Sequence, residues 1–463
     1  MNAIILSAVW GMVMMFSGFF TKKKSVIRWL AITGAALLLV FNTLDLQGGR
    51  HFFPVDTKNM LDFETFGLLF NSIAFGCTLL LFLLSGKDME QVGINLGEYF
   101  ALIFFVLCGI CIASTFNTLL MLFLGIEIIS IPLYILTGSD KHNLKSTEAS
   151  LKYFLMGAFS TGIMLLGIAF LYGASATGSF FIDDLLIGKS TISPLFMVGV
   201  LLLMISMAFK VSAAPFHFWA PDVYDGAPTV FTSFMATVVK ASLFIAFIRL
   251  FGDGFGELQQ KWQLYLAIII TATLFVGNLT AVFQQSVKRM LAYSSIAQAG
   301  FMLLGILALN QFAKEGIILY TAAYSLATIG IFAILVKIKD HSFEGFNGLA
   351  KHHPVLAFTN TIFLLSLAGI PLTAGFFAKY YMLAAALKTG HFFWLVIFAV
   401  LCAVVSVYYY FRVIQAMYFK DGEAQELDIS PSFKLLLILV AALIILLGIF
   451  PQWLTDQLNT VYL

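Results

Sequence analysis

About fourteen stretches of roughly twenty apolar residues follow one another along this chain, joined by connections too short to fold by themselves. A helix needs about 20 apolar residues to cross the hydrocarbon core of a bilayer. In lipid every backbone amide and carbonyl must be satisfied inside the protein, which a helix does segment by segment. The stretches run at 2–21, 26–45, 62–85, 97–114, 117–138, 147–173, 193–220, 227–251, 262–284, 290–310, 315–338, 355–385, 392–418 and 433–455. The fourth and fifth meet at a short turn near Ser114 to Asn117. Only 11% of the 463 residues are charged, against about 25% in soluble domains. The expectation is an all-α integral membrane protein with about 14 transmembrane helices, and lipid as a standing partner. A net charge of +2 gives no reason to expect nucleic acid.

Residues 1–20 carry no basic residue ahead of the apolar stretch and show no small-residue cleavage site. The basic cluster Lys22, Lys23, Lys24 and Arg28 follows instead. This predicts a retained first helix with its N-terminus outside. On that count sixteen Lys and Arg fall on the cytoplasmic side. Seven fall outside: Arg50, Lys58, Lys189, Arg249, Lys261, Lys314 and Lys388. The excess of positive charge on one side supports a multi-pass chain with both termini on the external, periplasmic side.

Two stretches are too long and are interrupted. The seventh contains Pro215 and ends at Pro221; the twelfth contains Gly369, Pro371 and Gly375. Proline removes a backbone donor and clashes with the preceding turn, so helices 7 and 12 are expected to be broken. They lie five apart, each fourth in a set of five. Five is odd, so helices 4–8 and 9–13 would be two inverted five-helix repeats, the layout in which transporters place sites at broken helices. The expected units are an N-terminal three-helix part (1–97), a first repeat (98–251), an inverted repeat (262–418) and a C-terminal helix (433–463).

Glu127, Lys210, Lys240 and Lys379 sit deep inside these stretches. A charge near the bilayer centre costs roughly 2.5–3.5 kcal/mol on insertion scales. One carboxylate cannot neutralise three lysines. Burial without a counter-charge disfavours the ammonium form of a lysine, and such a lysine can take up and release a proton. The four residues therefore read as a proton relay. A single Glu127–Lys210 pair that only fixes packing is the alternative. Lys152 follows Glu148 by four residues and shares its helix face, as a surface pair or a side branch of the path. His217, just after Pro215, would bound a cytoplasmic proton entrance, or equally sit at the membrane interface beside Phe216, Phe218 and Trp219. Tyr293, Ser294, Ser295 and Gln298 in the tenth stretch, and Tyr324, Ser325 and Thr328 in the eleventh, could hold a water chain or bond their own backbone.

The cysteines are Cys77, Cys108, Cys111 and Cys402. The pair Cys108 and Cys111 has no second pair or nearby His to complete a metal or redox site. It reads as two small apolar residues on one helix face. No dinucleotide fingerprint, Walker loop or haem motif occurs, and the run Gly252, Gly254, Gly256 reads as a turn. The chain is expected to hold no cofactor and no metal.

Several long motifs carry a resemblance. They are Leu122-Phe123-Leu124-Gly125-Ile126-Glu127 through Pro132, Glu148-Ala149-Ser150-Leu151-Lys152-Tyr153, Pro215-Phe216-His217-Phe218-Trp219-Ala220-Pro221-Asp222-Val223-Tyr224 with Gly226-Ala227-Pro228, Lys288-Arg289-Met290-Leu291-Ala292-Tyr293-Ser294-Ser295, and Ser366-Leu367-Ala368-Gly369-Ile370-Pro371 through Lys379. Together they resemble the antiporter-like subunits of respiratory complex I, over about residues 98 to 415. The N-type branch is the most similar. The M-type carries a glutamate where this chain has Lys379. The L-type adds a long lateral helix, for which a sequence stopping at Leu463 is expected to have no room. D-type subunits of multisubunit cation/proton antiporters share the broken helices and lysines, but the 148–153 and 223–228 stretches favour the N-type.

The resemblance implies a Glu127–Lys210 pair between helices 5 and 7, Lys240 as the central relay and Lys379 as the terminal one. It also implies NADH, FMN, iron–sulfur and quinone chemistry in partner subunits of a bacterial inner membrane complex. The expected neighbours are an M-type subunit, small helical subunits and the lateral helix of an L-type subunit. The first functional expectation is a non-redox subunit of a proton-translocating NADH–quinone oxidoreductase, driven by quinone reduction next door. A cation/proton antiporter subunit is the second, disfavoured because sodium wants several oxygen ligands and the interior offers one carboxylate and three ammonium groups. A non-conducting scaffold is the third.

Overall fold

A computed structural model describes residues 1–48, 55–93, 95–186, 192–422, 427 and 429–459. Arg50 and Lys189, counted above as external, lie outside the described residues, as do 460–463 of the C-terminal unit. Twelve of the described helices are long and apolar enough to cross a membrane, and three shorter apolar helices belong to the two interrupted crossings. The chain is an all-α, multi-pass membrane protein.

The first six crossings are α1 (Asn2–Phe20), α2 (Lys24–Leu46), α3 (Thr65–Val92), α4 (Leu96–Thr115), α5 (Leu119–Thr137) and α6 (Leu144–Ala174). The seventh is split into α7 (Pro194–Lys210) and α8 (Trp219–Gly226). The eighth combines α9 (Thr229–Phe234), a π-helical turn at Met235–Val239, α10 (Lys240–Arg249) and a second π turn at Leu250–Gly254. The ninth to eleventh are α11 (Gln259–Val282), α12 (Val287–Ala308) and α13 (Gln311–Leu335). After the short α14 (Leu349–His352), the twelfth is split into α15 (Pro354–Ala368) and α16 (Ala374–Leu387). Then α17 (Phe393–Phe419) and α18 (Pro431–Ile449) cross, and α19 (Gln452–Asn459) follows.

Local chemistry sets the helix ends. Thr118, Asn143, Ser193, Ser286, Asn310 and Ser430 each cap a helix by accepting a first-turn amide, which satisfies a donor the helix cannot. Pro194, Pro354 and Pro431 stand in first turns, where the missing N–H costs nothing. Helix α15 stops because Gly369 takes a left-handed φ of 82° and its N–H turns back to the Leu365 and Ser366 carbonyls. Helix α7 stops before Ser212, which has a φ of 59°. Neighbours satisfy part of the unwound stretch. Ala214 N donates to Thr273 Oγ1 at 2.9 Å, and Trp219 Nε1 donates to the Phe209 carbonyl at 3.0 Å.

Two expectations change. The glycine run at 252–256 is only partly a turn: Gly252 and Gly254 lie in the second π segment, and the chain turns at Phe255 into a 3₁₀ segment at Gly256–Leu258. Arg249 and Lys288, counted among the external and the cytoplasmic charges respectively, are both buried. Arg249 donates to the Ser114 and Phe116 carbonyls at 2.9 and 3.3 Å. Lys288 donates to the Asp225 and Ala227 carbonyls at 2.8 and 2.7 Å. Carbonyls at helix ends lack intrahelical donors, and these two cations supply them.

The most apolar eighteen residues of the eighth and of the eleventh crossing are all buried, and those of α12 nearly so. Helices α1, α2, α17 and α18 form part of the rim, with Phe16, Trp29, Val404 and Leu435 exposed. The enclosed helices are the ones that carry Lys240, Ser295, Gln298 and Tyr320.

Candidate functional site

Glu127 lies on α5 and Lys210 closes α7. Their Oε1 and Nζ atoms are 3.9 Å apart, and a hydroxyl stands between them. Thr161, on α6, donates to Glu127 Oε1 at 2.8 Å and accepts from Lys210 Nζ at 3.3 Å. Lys210 also donates to Ser130 Oγ at 2.9 Å. Ser130 follows Glu127 by three residues, so both project from one face of α5.

Lys240 is buried and fully satisfied. Its three ammonium donors meet Ser212 Oγ at 2.7 Å, the Ser295 carbonyl at 3.0 Å and Ser295 Oγ at 3.0 Å. The Tyr224 ring lies 5.6 Å from Nζ. The π turn ends directly before Lys240; such bulges recur at functional sites because they re-aim the next side chain. Ser212 is two residues beyond Lys210, so the break in the seventh crossing brings the pair Glu127–Lys210 to the neighbourhood of Lys240.

Lys379, on α16, reaches back to the C-terminal end of α15. Nζ donates to the Leu367 and Ala368 carbonyls at 2.9 and 3.0 Å, with the Phe301 ring centroid at 4.9 Å. These last-turn carbonyls are the negative end of a helix dipole, so the half-helix stands in for a carboxylate. Among the described residues Lys210 forms an ion pair with a carboxylate, whereas the cradles of Lys240 and Lys379 are built from hydroxyls and carbonyls.

A polar hub joins the last two lysines. Gln298 Nε2 donates to the Leu367 carbonyl at 3.0 Å and to the Tyr410 hydroxyl at 3.0 Å. Tyr320 donates to Gln298 Oε1, and Ser294 bonds the Tyr410 hydroxyl. A small cavity lined by Gln298, Tyr320, Tyr324, Ser366 and Lys379 adjoins this hub. Ser294 and Ser295 are neighbours on α12, so the hub at Tyr410 and the cradle of Lys240 share one turn.

The remaining sequence candidates lie elsewhere. Lys152 pairs with Glu148 and with Asp222, both at 2.8 Å, and Arg289 joins Asp222 at 3.0 Å. This is an exposed cluster, with the Glu148 side chain 64% exposed. His217 is buried in the break of the seventh crossing, its ring 4.5 Å from that of Phe218, and its Nδ1 makes no hydrogen bond of standard geometry among the described residues. Ser325 and Thr328 are buried without a hydrogen bond of standard geometry. At the far end of α10 a separate cavity is lined by Glu64, Arg249, Asp253 and Lys314. Burial pushes the Glu64 carboxyl above its ordinary value, against the pull of Arg249. Sequence reasoning missed Thr161, Ser212, Tyr320 and Tyr410. Ser212 had a signal in its place between Lys210 and Pro215. Tyr410 is one of three successive tyrosines, and nothing local marks which of them faces inward.

A family model described as NADH:quinone oxidoreductase/Mrp antiporter, TM, matches residues 117–406, which include all four relay candidates. NADH-quinone oxidoreductase subunit N of Cytophaga hutchinsonii is 42% identical over 460 residues, 98% of each chain. The chain belongs to the NADH-quinone oxidoreductase subunit N family. The subunit N of Flavobacterium psychrophilum is 35% identical, covering 98% of this chain and 99% of its own. Among solved structures, a chain of respiratory complex I from Thermus thermophilus with bound aureothin superposes with a TM-score of 0.82 at 30% identity, covering 98% of each chain. A chain of the Mrp complex from Dietzia sp. DQ12-45-1b shares the fold, with a TM-score of 0.86 at 18% identity over 99% of this chain and 96% of that one. For a subunit N family member the expectation of an antiporter-like membrane subunit holds.

Proposed function

We propose that this chain translocates protons through Glu127, Lys210, Lys240 and Lys379 as a membrane-arm subunit of an NADH–quinone oxidoreductase. The observation that carries the reading is the succession of enclosed ammonium groups, each held by oxygens that link it toward the next. Thr161 and Ser130 hold Lys210, Ser212 and Ser295 hold Lys240, and Gln298 with Tyr410 leads to the carbonyl cradle of Lys379. Pairing with Glu127 favours the charged form of Lys210. When the pair separates, Lys210 loses that support and its proton passes toward Lys240. Charge on Lys240 then repels charge on Lys379, which releases outward. Moving one charge against 100 mV takes about 2.3 kcal/mol, and this chain supplies no such energy by itself. Quinone reduction in neighbouring subunits would drive it, with NADH, FMN and the iron–sulfur clusters also bound there and no redox chemistry in this chain.

The same reading makes 98–251 and 262–418 the two inverted repeats, in a bacterial inner membrane with both termini periplasmic. An M-type subunit, small helical subunits and the lateral helix of an L-type subunit would be its neighbours. Lys152, Glu148 and His217 take secondary places, the first two in the charge cluster at the cytoplasmic mouth.

The test is Lys240→Ala or Lys379→Ala in the assembled complex. NADH-driven acidification of inverted vesicles should fall at least about tenfold while the complex retains its subunits. Undiminished pumping in both variants would leave a scaffold as the reading. A strict requirement for sodium over potassium in the same assay would favour cation exchange.

A further inference from the structure

We propose that the crevice where the ends of α2, α3, α13 and α18 meet is a binding site for an anionic phospholipid. Arg28, Lys87 and Lys337 stand at its rim. Lys337 is held by Asp88 at 2.6 Å and lies 5.3 Å from the Phe433 ring. Arg28 is paired with Glu90. Lys87 is exposed, as are Lys22, Lys23 and Lys24 just before and at the start of α2. The two carboxylates are thus matched by Lys337 and Arg28, and Lys87 leaves the rim positive, with Lys24 donating to the Glu90 carbonyl at 2.6 Å.

The wall below the rim is apolar. Three of the helices repeat one pattern, a polar residue at the rim and an apolar residue four positions deeper: Arg28 above Ile32, Lys87 above Leu83, and Ser432 above Leu436. Residues four apart on a helix lie one above the other. Trp29 and Leu83 remain 58% and 37% exposed, open to the surrounding bilayer. Ser430, which caps α18, and Ser432 in its first turn add two hydroxyls to the rim. Basic pockets between transmembrane helices, backed by apolar wall, fit a phosphate headgroup with its acyl chain below. A free phosphate would use the rim alone and leave the wall without a purpose. The site rests on the membrane crossings; its placement in the cytoplasmic leaflet rests on the proposed orientation. A lipid seated there would tie the N-terminal helices to α13, which carries Tyr320.

The assembled complex, purified in mild detergent, is the material for the test. It is labelled with photoactivatable phosphatidylglycerol or phosphatidylcholine, with and without millimolar inorganic phosphate. Labels are expected on peptides containing Leu83 and Leu436, about fivefold more with phosphatidylglycerol than with phosphatidylcholine, since each lysine near an anionic headgroup is worth about that factor. Lys87→Gln should lower the phosphatidylglycerol label about fivefold. Leu83→Trp fills the wall without changing charge and should lower it comparably, while Lys420→Gln should not. Equal labelling by the two lipids, no response to Lys87→Gln, or displacement by inorganic phosphate would each overturn the proposal. So would a crosslink from this crevice to a neighbouring subunit in place of lipid. Should Leu83→Trp fail to assemble, Lys87→Gln decides.

Discussion

Thr161 accepts from Lys210 and donates to Glu127 with a single oxygen. That makes it the bridge of the pair, because the 3.9 Å gap between the charged atoms is longer than either bond to the hydroxyl. Hydrogen bonds to charged groups contribute about 1.5–3 kcal/mol. Thr161→Val keeps the shape and removes the bridge. Pumping should fall, and Glu127→Gln combined with Thr161→Val should pump no worse than Glu127→Gln alone, since both remove one link. Additive losses in the vesicle assay would separate Thr161 from the pair. Gln298 makes a second case. Replaced by Leu, it leaves the Tyr320 hydroxyl buried without an acceptor, at a cost of about 1–3 kcal/mol. Tyr320→Phe in that background removes the stranded donor. The subunit content of the purified complex should recover in the double variant, while proton transfer does not. Recovery of both would reduce the hub to a packing device. The four charged residues stood out in the sequence because lipid makes their cost visible. Thr161 and Tyr410 did not, because a hydroxyl in a membrane helix has many neighbours available, and only the fold chooses among them. Arg249 shows the opposite case: it is counted among the external charges, yet helix-end carbonyls draw it inward.

Breaks in helices are the elements that put these residues to use. Both were legible from proline and glycine, which remove donors and permit left-handed backbone. What the breaks do was not legible, since it depends on where each unwound carbonyl and hydroxyl points. The seventh crossing turns Ser212 onto Lys240, and the twelfth turns the last carbonyls of α15 onto Lys379. Gly375 tests the second break. A Cβ there would stand 1.8 Å from the Ser366 carbonyl oxygen, a backbone atom that cannot step aside. Gly375→Ala must therefore push α16 away from α15, at a cost of about 3 kcal/mol or more. Lys379 lies four residues on, on the same face, and would lose its cradle. Loss of pumping together with a less stable subunit is the expected outcome. Gly162→Ala, where a Cβ meets nothing within 4 Å, should change neither. Equal behaviour of the two variants would show that the close approach of α15 and α16 carries no weight. The π turn before Lys240 had no sequence signal, because a single extra residue leaves hydrophobic spacing almost unaltered.

For the molecule as a whole, the number of crossings and the side on which each charge lies are one question. Among the described residues, twelve long helices and two interrupted crossings make an even count, which would return both termini to the same face if each one spans. The basic residues then choose which face, because Lys and Arg resist translocation. The same parity places Lys379 and the far end of α10 relative to the cytoplasm, so the direction of pumping depends on it. The four native cysteines are buried, which leaves a quiet background for a membrane-impermeant thiol reagent. Lys23, Lys58, Lys388 and Lys420 are all exposed. Lys23→Cys and Lys420→Cys should react in inverted vesicles and resist in right-side-out ones, and Lys58→Cys and Lys388→Cys should do the reverse. If Lys23→Cys and Lys420→Cys reacted from opposite faces, one of the crossings between them would not span, and the interrupted crossings would be the first suspects. If all four reversed together, the count would stand, but Lys379 would face the cytoplasm. An outward release through it could then no longer follow from this fold.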